Sequence, residues 1–214
     1  MKRLISAALL FTALTVTTTA QYIPVDTTKI KKAYSALEKE PQNPQFQLEF
    51  FNAFPACWDD FISTYKFYNK EGYDLSMYDS APEHIEALSN CTTINDTIFC
   101  NRLISLSVGA SLDADAPNYL QGLLHHTMSQ KNGVLLHCLS QIEKGHQMQF
   151  WQFYWSNIVD GRSGEQEFKV LYNINKEKYP CLMKTMSIAF EYFNMGILFM
   201  EDFKRTMNSK NLEE

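Results

Sequence analysis

Glycine and proline are scarce in this 214-residue chain, at eight and seven residues. Their scarcity excludes collagen-like repeats and Pro/Gly-rich linker architectures. Positive charge is also short: 19 Lys plus Arg stand against 24 Asp plus Glu, a formal net charge of −5. That balance disfavours nucleic acid, whose binding rests on cations neutralising phosphates, and it disfavours anionic membrane surfaces. No charge-free apolar run reaches the roughly 20 residues that a bilayer-spanning helix needs. There is no C-x-x-C, so neither a redox motif nor a zinc knuckle is indicated. There is no G-x-S-x-G and no phosphate loop. Asp113-Ala114-Asp115 starts like a calcium loop, but Asn118 and Leu124 stand where that loop needs glycine and glutamate. Nothing in the composition implies a metal or a cofactor.

What is present begins at the amino terminus. Lys2 and Arg3 precede an uncharged apolar stretch from Leu4 to Val16, followed by the small residues Thr17 to Ala20. This is the layout of a secretory signal peptide over residues 1–20, with cleavage after Ala20. Gln21 follows where a lipoprotein would need cysteine, so no lipid anchor is expected. The expectation is a periplasmic or secreted protein, with residues 21–214 forming a single helical domain.

Export permits disulfides. Of the five cysteines, Cys57, Cys138 and Cys181 fall within apolar helical patterns and read as small buried residues. Cys91 and Cys100 bracket a short polar segment and form a candidate pair. A bridge there closes a loop of about ten residues, worth roughly 2.5 kcal/mol in the chain-entropy model.

Apolar residues recur at helical spacing almost throughout. Ile30, Tyr34 and Leu37 share one face. Asn43-Pro44 reads as an N-cap followed by a proline at the first helical position, ahead of Phe46, Phe50, Phe51 and Phe54. Trp58, Phe61, Ile62 and Tyr65 repeat the pattern. Ser80 to Glu83 fits a capping box, as does Ser163 with Gln166. Asn132-Gly133 signals a turn, Gly145 an end, and Gly161 to Gly164 a break. The final helix carries Met186, Phe190, Phe193, Ile197 and Met200 in register. Only Ile98 to Val108 competes as a strand. The chain therefore predicts an all-α fold of about nine helices, an irregular multi-helix bundle or a short α-solenoid-like stack.

Aromatic residues supply the candidate binding surface. Tyr68, Tyr73 and Tyr78 lie without helical spacing between Phe67 and Tyr78, as suits a recognition loop. Trp151, Tyr154 and Trp155 belong to a run with aromatics on every side of a helix. Such a helix is usually central and buried; its alternative is a groove or partner surface, since Trp and Tyr dominate hot spots. The five histidines, His84, His125, His126, His137 and His146, show no ligand spacing and read as surface or helix-end residues. His125, His126 and His137, with Cys138 in reach, mark where a non-standard enzyme site would sit.

Phe50-Phe51-Asn52-Ala53-Phe54-Pro55, then Trp58, Phe61 and Tyr65, and later Asp113-Ala114-Asp115-Ala116, carry a resemblance. The pattern is similar to a group of exported all-helical proteins of gut-type bacteria that share an aromatic FFxAFP hinge. Lys66-Phe67-Tyr68 stands where that group often has Gly-Tyr. The resemblance implies fold and compartment, and no chemistry. The functional expectation is an exported helical domain that binds another protein without catalysis, in concrete form an envelope immunity or inhibitor protein. The alternatives are an enzyme near His125, His126 and His137, or a structural envelope component.

Overall fold

Asn43 shows how this sequence begins a helix. Its backbone is extended, its side-chain oxygen accepts from the Gln45 N–H at 3.0 Å, and Pro44 follows with no N–H to leave unpaired. In the computed structural model, residues 27–65, 77–112, 115–156 and 161–210 are described, excepting the side chains of 161–163 and 197–210. The predicted leader lies outside them. Nine helices and no strand occur among the described residues. They are α1 (Thr28–Lys39), α2 (Pro44–Ala53), α3 (Trp58–Tyr65), α4 (Ala81–Ser89), α5 (Asp96–Ser107), α6 (Asp115–Ser140), α7 (Lys144–Trp155), α8 (Gly161–Asn175) and α9 (Pro180–Lys210).

The arrangement is an all-α multi-helix bundle around α7, which packs on α9, α6 and α5. In a solenoid each unit meets only its neighbours. Here α3 reaches α5, α4 reaches α6 and α5 reaches α7. Phe150, Trp151, Phe153, Tyr154 and Trp155 of α7 are all 0–1% exposed. A helix apolar on every side can only be stable with neighbours on every side. Among the described residues no helix is long and apolar enough to cross a membrane.

Several local expectations are corrected. Ile98 to Val108 is helical: Asn95 caps α5 by accepting from the N–H groups of Thr97 and Ile98, and Gly109, at φ +78°, ends it in the left-handed region. The turn signalled at Asn132-Gly133 is met in part: α6 does not end there, but two helical segments meet at a kink at the neighbouring Lys131, with φ −129° and ψ 31°. Burial of Leu135, Leu136 and Leu139 beyond the kink keeps the helix going. Gly145 lies in the first turn of α7, and Ser163 in that of α8. Ser80 stands at the N-cap position of α4, but its side chain makes no cap hydrogen bond and its backbone is already α-helical.

The Cys91–Cys100 bridge is also absent: both are free thiols. Cys91 donates to the Ala87 carbonyl at 3.3 Å, behind α4. Cys100 is buried on α5, within electrostatic reach of Cys138 on α6. Burial pushes the two thiols up to about 11 and about 12, so both stay protonated and unreactive at neutral pH. Cys57 is half-buried and Cys181 exposed, against the expectation for those two.

Long-range polar ties lock the helices together. Gln47, with no exposed surface, donates to the Pro41 carbonyl at 2.8 Å and accepts from the N–H and hydroxyl of Thr93 at 2.9 and 2.8 Å. Arg102 lies 4.5 Å over the Phe51 ring and donates to the carbonyls of Phe51, Phe54 and Pro55 at 3.0, 3.0 and 3.2 Å. The Phe51 carbonyl is one that α2 leaves unpaired in its last turn, and Phe54 and Pro55 follow just past its end. We expect Arg102→Met to keep the stacked stem but strand the carbonyls, lowering unfolding free energy by about 2–3 kcal/mol in urea denaturation. A loss below about 0.5 kcal/mol would show that water serves them equally well.

Candidate functional site

Of the six aromatic residues predicted to bind, Tyr68 and Tyr73 lie outside the described residues. Trp151, Tyr154 and Trp155 do not form a surface: each is 0% exposed, in the centre of the bundle. The central-helix reading of that segment is the one the structure follows. Tyr78 is different. It is half-buried, and its hydroxyl donates to the Asp115 carboxylate at 2.7 Å. That bond, ahead of a smaller effect of burial, raises the phenol pKa. Asp115 is the first residue of α6, so the contact pins the end of the tyrosine-rich segment to the start of that helix.

One turn further along α6 is Tyr119, 45% exposed. It borders a groove of about 370 Å³ between α4 and α6. Ile85 and Leu123 give the groove an apolar floor, and Glu86 and His126 stand at its sides. Gly122 opens it: a Cβ there would meet nothing within 4 Å. Among the described residues no lysine or arginine lines this groove. Sequence reasoning singled out Tyr78 and not Tyr119, whose position next to α4 depends on how α4 packs.

The three histidines singled out do not converge. His126 faces the α4–α6 groove, and His137 is exposed beyond the kink. His125 turns toward α7 and α8. Its Nδ1 is 3.4 Å from the Glu167 carboxylate and its Nε2 is 3.1 Å from the Tyr154 carbonyl. Both partners are pure acceptors, so the doubly protonated ring is the form that donates to both. The Tyr154 hydroxyl donates to the same Glu167 oxygen. Burial alone would raise the Glu167 pKa, but the bonds from His125 and Tyr154 outweigh it and hold the carboxyl below its usual range. The cluster joins α6, α7 and α8 and leaves the carboxylate ionised, with one of its oxygens engaged by both partners. No group of three or more metal-ligating side chains comes together among the described residues.

His84 is a core residue, not a surface one, at 2% exposed. Tyr34, Phe50 and Tyr65 surround it, with ring centroids 4.4, 5.8 and 5.9 Å away. Its Nδ1 is 2.9 Å from the Tyr65 hydroxyl. Burial raises the Tyr65 pKa, so the phenol keeps its proton and donates it to Nδ1 of a neutral imidazole. Burial pulls His84 down to about 4, although Glu83 acts the other way. Tyr65 ends α3 and His84 lies in α4, so this bond ties together the two helices that flank the tyrosine-rich segment. A lone histidine in sequence carries no signal of such a cage. In comparisons with protein-family models, curated proteins and solved structures, nothing matches the chain.

Proposed function

We propose that this is an exported, non-catalytic binding protein that recognises a partner protein through the face made by α4, the start of α6 and the tyrosine-rich segment before α4. The observation that carries the reading is Tyr78 bonded to Asp115, which sets the described end of that segment beside the exposed Tyr119 and an open groove. Tyrosines around a groove with an apolar floor are the material of binding hot spots. Asp79, Glu86 and Asp115 make this face acidic. The partner segment it suits is basic, with an apolar side chain to fill the space over Gly122. An immunity or inhibitor protein that blocks an incoming toxin in the cell envelope is the concrete form of this proposal. The leader-like amino terminus supports that compartment. Enzymatic action at His125, His126 and His137 is the weaker reading, because the three imidazoles point into different surroundings.

A photo-crosslinking residue at position 119 tests the proposal in the envelope fraction of the source cells, with position 170 on exposed α8 as control. A discrete protein adduct is expected at 119 and not at 170, on a segment rich in lysine or arginine. Tyr119→Ala should then weaken the purified complex at least tenfold while leaving the circular-dichroism spectrum unchanged. Equal labelling at both positions, or none at 119, would overturn the proposal.

A further inference from the structure

A second concavity lies away from the α4–α6 face, where α3, α5 and the approach to α7 meet. It holds about 440 Å³, within the roughly 300–1,000 Å³ range of small-molecule sites. Its apolar wall is Ile104, Val108 and Ile142. Trp58 forms another side. That ring is fixed from behind, stacked on Phe61 at 5.7 Å and 22° and tilted against Phe153 at 6.2 Å. It remains half-buried, so one part of the indole is available to a ligand.

The polar groups here are unlike those elsewhere in the protein. Gln47, Arg102, Gln121 and Gln147 all spend their donors on backbone carbonyls. In the cleft, Asp59, Asn101 and Ser105 make no side-chain hydrogen bond or ion pair with any described residue. Asn101 and Ser105 are one turn apart on α5 and therefore project side by side. Asp59 follows Trp58, so a carboxylate and an aromatic ring border the same space.

The charge of the cleft is decided by that carboxylate. His146 is the one imidazole on its wall among the described residues, and it pairs with Glu143 at 3.4 Å. The nearby Arg102 is held on three carbonyls. The first turns of α3 and α7 bring partial positive charge of about half a unit each. Lys144 at the start of α7 and Arg102 add two cations, and Asp59, Asp60 and Glu143 supply three carboxylates, so the surroundings are close to balanced and Asp59, which stands on the described lining itself, sets the local sign. A cation is favoured, and the indole face adds a cation–π term to the ionic one.

We propose that this cleft binds a small amphipathic amine, its ring system against Trp58 and the apolar wall, and its ammonium group on Asp59 with Asn101 and Ser105 as further polar contacts. The site is independent of the α4–α6 face, so either can fail without the other.

Isothermal titration with three indoles of similar size tests it. Tryptamine carries the ammonium group, tryptophol a hydroxyl in its place, and indole-3-propionate a carboxylate. Tryptamine should bind saturably at one site, tryptophol at least tenfold more weakly, and the propionate not measurably. Asp59→Asn should abolish the preference of tryptamine over tryptophol. Asp59 is exposed, so the fold should survive, as a thermal melt would verify. Ser105→Trp, which fills the cleft from an exposed position on its wall, should block tryptamine without altering any charge. Absence of saturable tryptamine binding, or a preference that survives Asp59→Asn, or binding untouched by Ser105→Trp, would each overturn the proposal.

Discussion

Trp155→Ala should remove about 3–5 kcal/mol of unfolding free energy, whereas Trp155→Phe should change it by no more than about 1 kcal/mol. Trp155 is 0% exposed and stacks on Trp151 at 6.1 Å and 15°. It also meets Phe190 at 5.0 Å and Phe168 at 6.3 Å, so it joins α7 to α8 and α9. Truncation to alanine opens a cavity in the middle of the bundle and takes contacts from three helices at once. Phenylalanine loses only part of the ring. It also deletes the indole N–H, which is buried and has no hydrogen-bond acceptor among the described residues. An orphaned buried donor costs about 1–3 kcal/mol, so its removal offsets the smaller ring. Urea denaturation followed by circular dichroism measures both variants. Should phenylalanine prove as damaging as alanine, the N–H must be serving a bond that the packing does not reveal. Trp151 carries the same unpaired donor and should respond alike.

Acid should destabilise the protein well above the range where carboxylates titrate. His84 has a folded pKa of about 4 against an ordinary 6.5. Below 6.5 the unfolded chain therefore binds a proton that the folded one refuses. Stability is complete above 6.5, falls by up to about 1.4 kcal/mol per pH unit toward 4, and has lost about 3 kcal/mol from this source at that point. Protonation also takes away the lone pair that accepts from Tyr65, and with it the tie across the tyrosine-rich segment. His84→Gln supplies an amide oxygen as acceptor and cannot titrate. Its unfolding free energy should be nearly flat between pH 6.5 and 5, where the native protein slopes. Parallel slopes in the two proteins would rule out His84 as the source. Glu167, whose folded pKa is depressed, adds a second loss only as pH falls below its ordinary 4.5.

The accuracy of the sequence reading depended on how local each signal was. Asn43 and Pro44 specify a helix start through atoms two residues apart, and the start is there. The aromatic run at 150–155 can be soluble only when enclosed, and it is enclosed. Asn132-Gly133 marked an interruption that is there, one residue earlier at Lys131, but as a kink and not a turn, because a turn propensity of about 1 kcal/mol competes with several buried leucines on the far side of it. Ser80 failed because Ala81 and Pro82 begin the helix without needing its hydroxyl. The Cys91–Cys100 pairing assumed that sequence proximity brings two side chains together, whereas one lies behind α4 and the other faces α6.

The chain by itself determined the class of fold, because an apolar side chain every three to four residues can be covered only by helices packed on one another. It also determined the net charge and the tyrosine-rich composition of the segment before α4. Tertiary structure alone decided which aromatics face water, that His84 sits in a cage, and that Trp58, Asp59, Asn101 and Ser105 share one cleft. The physical reason is distance along the chain. Helical periodicity is written within one or two turns, while the Gln47–Thr93 and Arg102–Phe51 bonds join residues 46 and 51 apart. Such pairs are selected by the packing of whole helices, and no short stretch of sequence specifies them.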